Sequence, residues 1–183
     1  MNIVATIAQT LETSAVGEWM RTSLKAMPVI EAIHVLTAAV VFGTILIVDL
    51  RLLGVPSTRR AVTRIHEELV RFTWAAFGVS VVTGLLMFAP NATTYFRNTA
   101  FALKMLSLLA AGVNMAIFEG RTFRSVTAWD RDVPAPPAAR VAGALSILIW
   151  AAVIFFARWI GFTKGYDFAV PDDVDLNFAF PPQ

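Results

Sequence analysis

Four stretches of this sequence carry no Asp, Glu, Lys or Arg over lengths close to a membrane thickness: Ala32 to Val48, Phe72 to Phe96, Met105 to Phe118 and Val141 to Ala157. An apolar core of about 30 Å takes about 20 helical residues. The runs reach that length when flanking cations such as Lys104 and Arg158 lay their stems along the helix and lift their charges outward. Helices are therefore predicted near residues 29–51, 70–89, 101–120 and 140–160. The second run outlasts its helix, because Pro90 and the polar stretch Asn91 to Thr94 read as a turn. The fold class that follows is all-α, an integral membrane four-helix bundle with short amphipathic helices on its surface.

Composition agrees with that class. With 57% hydrophobic and 15% charged residues, the chain is more apolar than a water-soluble domain of this length tolerates. Cysteine is absent, which excludes disulfides, thiolate catalysis, zinc–thiolate sites and Cys-held iron–sulfur clusters. The N-terminus shows no positively charged n-region and its first charge is Glu12, so no signal peptide is expected and the first long apolar run is expected to be a retained anchor. A sequence pI near 9.4 gives no nucleic-acid partner, because the basic residues are sorted by position.

That sorting predicts a topology. Arg51, Arg59, Arg60, Arg64 and Arg71 fall between the first two spans, and Arg121, Arg124, Arg131 and Arg140 between the last two. The other side holds Arg21, Lys25, Arg97, Lys104, Arg158 and Lys164. Nine cations against six place the connecting loops in the cytoplasm and both termini outside, in a bacterial inner membrane. Trp19, Tyr95, Phe96 and Trp159 fit an interfacial aromatic belt at the outer side.

Three parts are expected: a periplasmic amphipathic segment over 1–28, the transmembrane domain over 29–160, and an acidic periplasmic tail over 161–183 with Asp167, Asp172, Asp173 and Asp175. Leu11 to Met27 and Ser57 to Val70 read as amphipathic segments lying on the membrane surface. Pro28 suits the first turn of the first span. A weak repeat at an offset of 70 residues aligns His34 with Lys104, Asp49 with Glu119 and Arg51 with Arg121. If it reflects duplication, two hairpins share one orientation about an axis along the membrane normal.

Ionisable groups inside a bilayer are costly, so each is a functional candidate. Glu31, His34, Lys104 and Arg158 form the tentative ligand-binding set near the outer ends of the spans. Asp49, Arg51, Asn114, Glu119, Arg121 and Arg140 are expected to be structural polar groups, with arginines serving the Asp49 and Glu119 carboxylates. Glu31, His34, Ala38, Val41, Ile45, Val48 and Leu52 follow helical spacing and mark the packed seam of the first span. His34 is expected to be buried there, with a polar partner from the third or fourth span. Glycines 43, 78, 84, 112 and 143 allow close helix approach, without a strict small-xxx-small pair. A haem held by His34 and His66 is disfavoured, because most of a membrane thickness separates them. His34 with Met87 or Met105 is the less strained route to a His/Met haem or a Cu(I) site.

The chain resembles a family of uncharacterised bacterial four-helix inner-membrane proteins, classed as a domain of unknown function. The resemblance lies in Pro28, Ile30, Glu31 and His34, then Asp49 to Gly54, Thr83 to Leu86, Phe101 with Lys104, Ala128 to Asp130, and Pro136 to Arg140 leading into Gly143, Leu145, Ser146 and Trp150. It implies a fold and a membrane location, and it carries over no functional residue. The family pattern often has a histidine where Glu119 stands, which counts against a haem or metal in this chain.

No nucleophile–base pair, phosphate loop or zinc motif is present, so no catalytic constellation is predicted. The leading expectation is a membrane-embedded binding or accessory protein, acting alone, as a homo-oligomer or beside another membrane protein, with no cofactor assigned. The rivals are a redox or metal-handling protein using His34, and an oligomeric transporter.

Overall fold

The computed structural model describes residues 3–55 and 58–163. Among these residues the chain is built from α-helices: α1 (Ile3–Glu12), α2 (Ala15–Thr22), α3 (Ala26–Leu53), α4 (Val62–Phe88), α5 (Ala92–Arg97), α6 (Thr99–Ile117) and α7 (Pro137–Thr163). The acidic residues expected in the tail, Asp167 to Asp175, lie outside the described residues. Four helical stretches, Ala26–Leu53, Val62–Arg97, Thr99–Ala128 and Pro137–Thr163, are long and apolar enough to cross a membrane.

Each of the four predicted long helices is present, and all four start earlier than the charge pattern suggests, α4 by the most. The segment Ser57 to Val70 is not a separate surface helix. From Val62 it is the start of α4, and Val62 is buried in the cluster that closes this end of the bundle. A cap supplied from afar explains the extension. Asp130 accepts hydrogen bonds from the Thr63 N–H at 2.8 Å and the Thr63 hydroxyl at 3.0 Å, while its carbonyl accepts the Val62 N–H. Two of the four N–H groups left open at a helix start are thereby satisfied. At the opposite end, Leu11 to Met27 is not one amphipathic segment but the end of α1, all of α2 and the first turn of α3. The Ser14 hydroxyl caps α2 by accepting the Gly17 N–H. The predicted turn after α4 is a 3₁₀ turn, Ala89–Asn91, leading into α5, and the Glu12 carboxylate fastens it by accepting the Thr93 N–H at 2.7 Å.

α3 ends on Gly54, whose φ of +83° suits glycine, with the Val55 N–H returning to the Leu50 carbonyl. Leu52, Val62, Phe118, Val126, Trp129, Ala135 and Ala139 then form an apolar plug under the arginine-rich loops.

α3 packs against α4 on one side and α7 on the other, and α7 packs against α6. The α3–α7 seam is tight because Gly143 faces α3. A Cβ there would lie 3.2 Å from the Asp49 main-chain oxygen and 3.3 Å from the Leu52 Cβ. Ala139, four residues earlier, is also buried, so a small-xxx-small pair does exist. It serves contact within the chain. The α3–α4 seam is polar instead, with rungs His34–Thr83 at 2.9 Å, Thr37–Ser80 at 2.8 Å and Thr44–Thr73 at 2.7 Å. By contrast, α4 and α6 make no extended contact.

Candidate functional site

Where α4 and α6 stand apart, the bundle encloses a cavity of about 200 Å³ in the half nearer the arginine-rich loops. All four long helices line it. α3 contributes Val41, Thr44, Ile45, Val48, Asp49 and Leu52; α4 contributes residues from His66 to Phe77; α6 and α7 add Asn114, Met115, Ser146 and Trp150. The wall is apolar apart from a few polar groups, the usual composition of a small-molecule site.

Asp49 is the group that most needs explanation. Its position on α3 turns it toward α7, where Ser146 lies beside the carboxyl. The residue is 6% exposed, and Oδ2 is buried without a hydrogen-bond partner. The expected arginine partner is not there. Arg51 lies two residues on, about 200° around the helix, and turns to loop carbonyls: Nε donates to Arg60 at 2.7 Å and Nη2 to Thr58 and Asp130 at 2.9 Å each, while Nη1 is buried without a hydrogen-bond partner. Asn114 donates through Nδ2 to the Ala142 carbonyl at 3.0 Å, and its amide oxygen is a second acceptor on the same side chain in the cavity wall.

The mouth at the arginine-rich end is bridged by His66 of α4 and Glu119, 3.2 Å apart. Here too the partner differs from the arginine expected for Glu119. A π-helical turn, Phe118–Thr122, follows α6, and Glu119 on this wider turn meets His66 of α4. The His66 ring also rests on Phe123, with centroids 4.8 Å apart. At the far end the same two helices are linked through the Phe88, Tyr95 and Phe101 rings, with Phe88 and Phe101 stacked at 5.5 Å. Removing the bridge should therefore widen one end. With His66→Ala, spin labels on cysteines introduced at Ala75 and Val113 are expected to report a longer and broader distance than in the parent, which has no native cysteine to interfere. An unchanged distribution would show that the bridge does not hold the helices.

The tentative outer set is only partly assembled. His34 is half-buried, and its ring feels the charges of both Glu31 and Lys104. Its hydrogen-bond partner comes from α4, not from the third or fourth span: Nδ1 meets the Thr83 hydroxyl, and the Ser80 carbonyl is within reach of the same ring. Gly84 makes room for the imidazole, since a Cβ there would sit 3.2 Å from its Cε1. Arg158 is not part of this group; it is exposed and stacks on Phe162. Glu31 is exposed, and the Lys104 ammonium lies 5.5 Å from the Phe101 ring centre. Neither methionine is directed at His34 by its packing, for Met87 joins the Met20–Ala26–Ile30 cluster and Met105 is 41% exposed. No group of three or more His, Asp or Glu side chains able to hold a metal occurs among the described residues. Arg121 and Arg140 are both exposed.

His66 is the residue that the charge pattern concealed, because its neighbours Arg64, Glu67 and Glu68 suggest a solvent-facing segment. A signal was nonetheless present. Val62, His66, Leu69, Thr73, Phe77 and Ser80 continue one helical stripe from the charged segment into the apolar run.

One family model matches the chain, described as a family of unknown function (DUF6644), and it covers residues 6–163. No curated protein and no solved structure matches.

Proposed function

Because the chain belongs to DUF6644, a family of unknown function, its role has to be read from its own geometry, and we propose that it is a membrane-embedded protein that binds a small lipophilic molecule between its four long helices. The observation that carries this reading is the cavity lined by α3, α4, α6 and α7, with the buried Asp49 carboxyl in its wall. The surrounding solvent is the lipid bilayer. In this reading the arginine-rich loops face the cytoplasm of a bacterial cell and both termini lie outside, as the excess of loop cations favours. The gap between α4 and α6 then opens sideways to lipid, the route by which a lipophilic molecule arrives.

Gly112 supplies the test. It lines the cavity, and a Cβ built on it meets nothing within 4 Å. Gly112→Leu should fill the space while removing a flexible residue from a helix interior, a change that stabilises by about 0.5–1 kcal/mol when the site is unstrained. In nanodiscs, neopentylbenzene is expected to give a saturable change in the emission of Trp74 and Trp150, both in the cavity wall. The variant should lose the saturable part and melt no earlier than the parent. Identical, purely linear responses in parent, variant and empty nanodiscs would overturn the reading.

A further inference from the structure

The polar groups of the cavity are not balanced. Its lining includes two carboxylates, Asp49 and Glu119, and no lysine or arginine. Glu119 is engaged with His66, whereas Asp49 keeps a buried, unpartnered oxygen beside Ser146. The nearest sequence cation, Arg51, does not line the cavity and forms no ion pair with Asp49; its Nε and Nη2 bond three main-chain carbonyls, and its Nη1 is buried without a partner. Asn114, whose Nδ2 is given to the Ala142 carbonyl, adds an amide oxygen as a further acceptor. A carboxylate shut away from water with an unpartnered oxygen is strongly disfavoured, so the group either keeps a proton or takes a positive charge beside it, and a cationic ligand in the cavity would supply that charge. The apolar part of the lining includes Trp74, Phe77, Phe118 and Trp150, and aromatic faces attract cations, most strongly where water is excluded.

We infer that the ligand of this cavity is a lipophilic organic cation, an ammonium or quaternary ammonium head set against Asp49 with its apolar body among the aromatic side chains. The inference rests on the binding reading above and narrows it to a charge class. A metal ion fits less well, since Glu119 is engaged with His66, Asp49 is left with an amide oxygen and a hydroxyl within a mainly hydrocarbon wall, and no group of three or more His, Asp or Glu occurs among the described residues.

The deciding comparison uses two probes of one shape. Benzyltrimethylammonium carries a nitrogen cation where neopentylbenzene has a quaternary carbon, so size and contour are shared and charge differs. Both are titrated into the full-length protein in nanodiscs of zwitterionic lipid, with tryptophan emission as the readout and empty nanodiscs to correct for partitioning. The cation is expected to bind at least tenfold more tightly. Asp49→Asn should abolish that preference while leaving the neutral probe's affinity within about twofold. Equal affinities of the two probes for the parent would overturn the charge assignment and leave lipophilic binding intact. Absence of a saturable site for either probe would overturn both. If Asp49→Asn folds poorly, the parent's preference between the probes decides the matter alone.

Discussion

Replacing Arg51 with alanine is expected to destabilise the protein by about 3 kcal/mol, a larger loss than any surface arginine should produce. The side chain is 3% exposed and bonds the carbonyls of Thr58, Arg60 and Asp130, so it joins the end of α3, the loop before α4 and the loop after α6. A hydrogen bond from a charged donor contributes about 1.5–3 kcal/mol, and the three are not additive because they share one guanidinium. Arg60 is exposed, so water can replace part of what its carbonyl loses. Asp130 raises the stakes, since it also holds the start of α4. Arg51→Lys should recover only a fraction, because an ammonium lacks the planar fork that spans these carbonyls. Equilibrium unfolding in mild detergent gives the loss, and limited proteolysis between α3 and α4 should accelerate in step with it. Parental stability for Arg51→Ala would show that the loops are held by other contacts.

Gly143→Leu is the second large effect, expected to destabilise by about 1–3 kcal/mol through overpacking. The obstruction is backbone: the Asp49 carbonyl oxygen stands 3.2 Å from where a Cβ would be, and the Leu52 Cβ 3.3 Å. Neither can swing aside as the tip of a flexible side chain would, so α7 must shift away from α3. Gly143→Ala meets the same atoms with a single methyl, and its gain in helix propensity offsets part of the crowding. The expected order of melting midpoints is therefore parent, or alanine close to it, above leucine. A leucine variant as stable as the parent would contradict close packing at this seam. Asp49 provides a second readout, since displacing its helix should also weaken cation binding at the neighbouring carboxyl.

The four long helices were legible because charge is expensive in hydrocarbon, and each charge-free run marks a span whatever its neighbours are. Their limits were less so. The start of α4 depends on a cap from Asp130, 67 residues away, which no local pattern announces. The seam residues of α3 were also legible: Val41 and Leu52 on the predicted stripe are each 2% exposed. Partners were not. Asp49 and Glu119 were assigned to arginines because those are close in sequence, yet the order in which helices neighbour one another gives Asp49 to Ser146 and Glu119 to His66. Glu31 and His34 were joined by helical spacing, but Lys104 and Arg158 were added by depth, which does not tell which side of a helix meets a neighbour, and Arg158 is instead exposed over Phe162. The shift of the candidate site from His34 toward Asp49 has the same origin. A cavity is a property of missing contact, here between α4 and α6, and periodicity records only the contacts that are made.

The uneven joining of the two hairpins has a mechanical consequence. α3–α4 and α6–α7 form two leaves bound along one spine, where Gly143 lies against α3, and among the described residues their other edges are joined at the two ends, by the Phe88, Tyr95 and Phe101 rings and by His66 with Glu119 and Phe123. A body bound in this way has one compliant direction, rotation about the spine, while bending within either leaf is stiff. Thermal motion collects in that direction, so the free edges breathe together, on the microsecond-to-millisecond scale of hinge movements. If the four long helices lie in a bilayer as proposed above, lateral pressure from lipid would press on those edges, and bilayer composition would tune the aperture without any change in sequence.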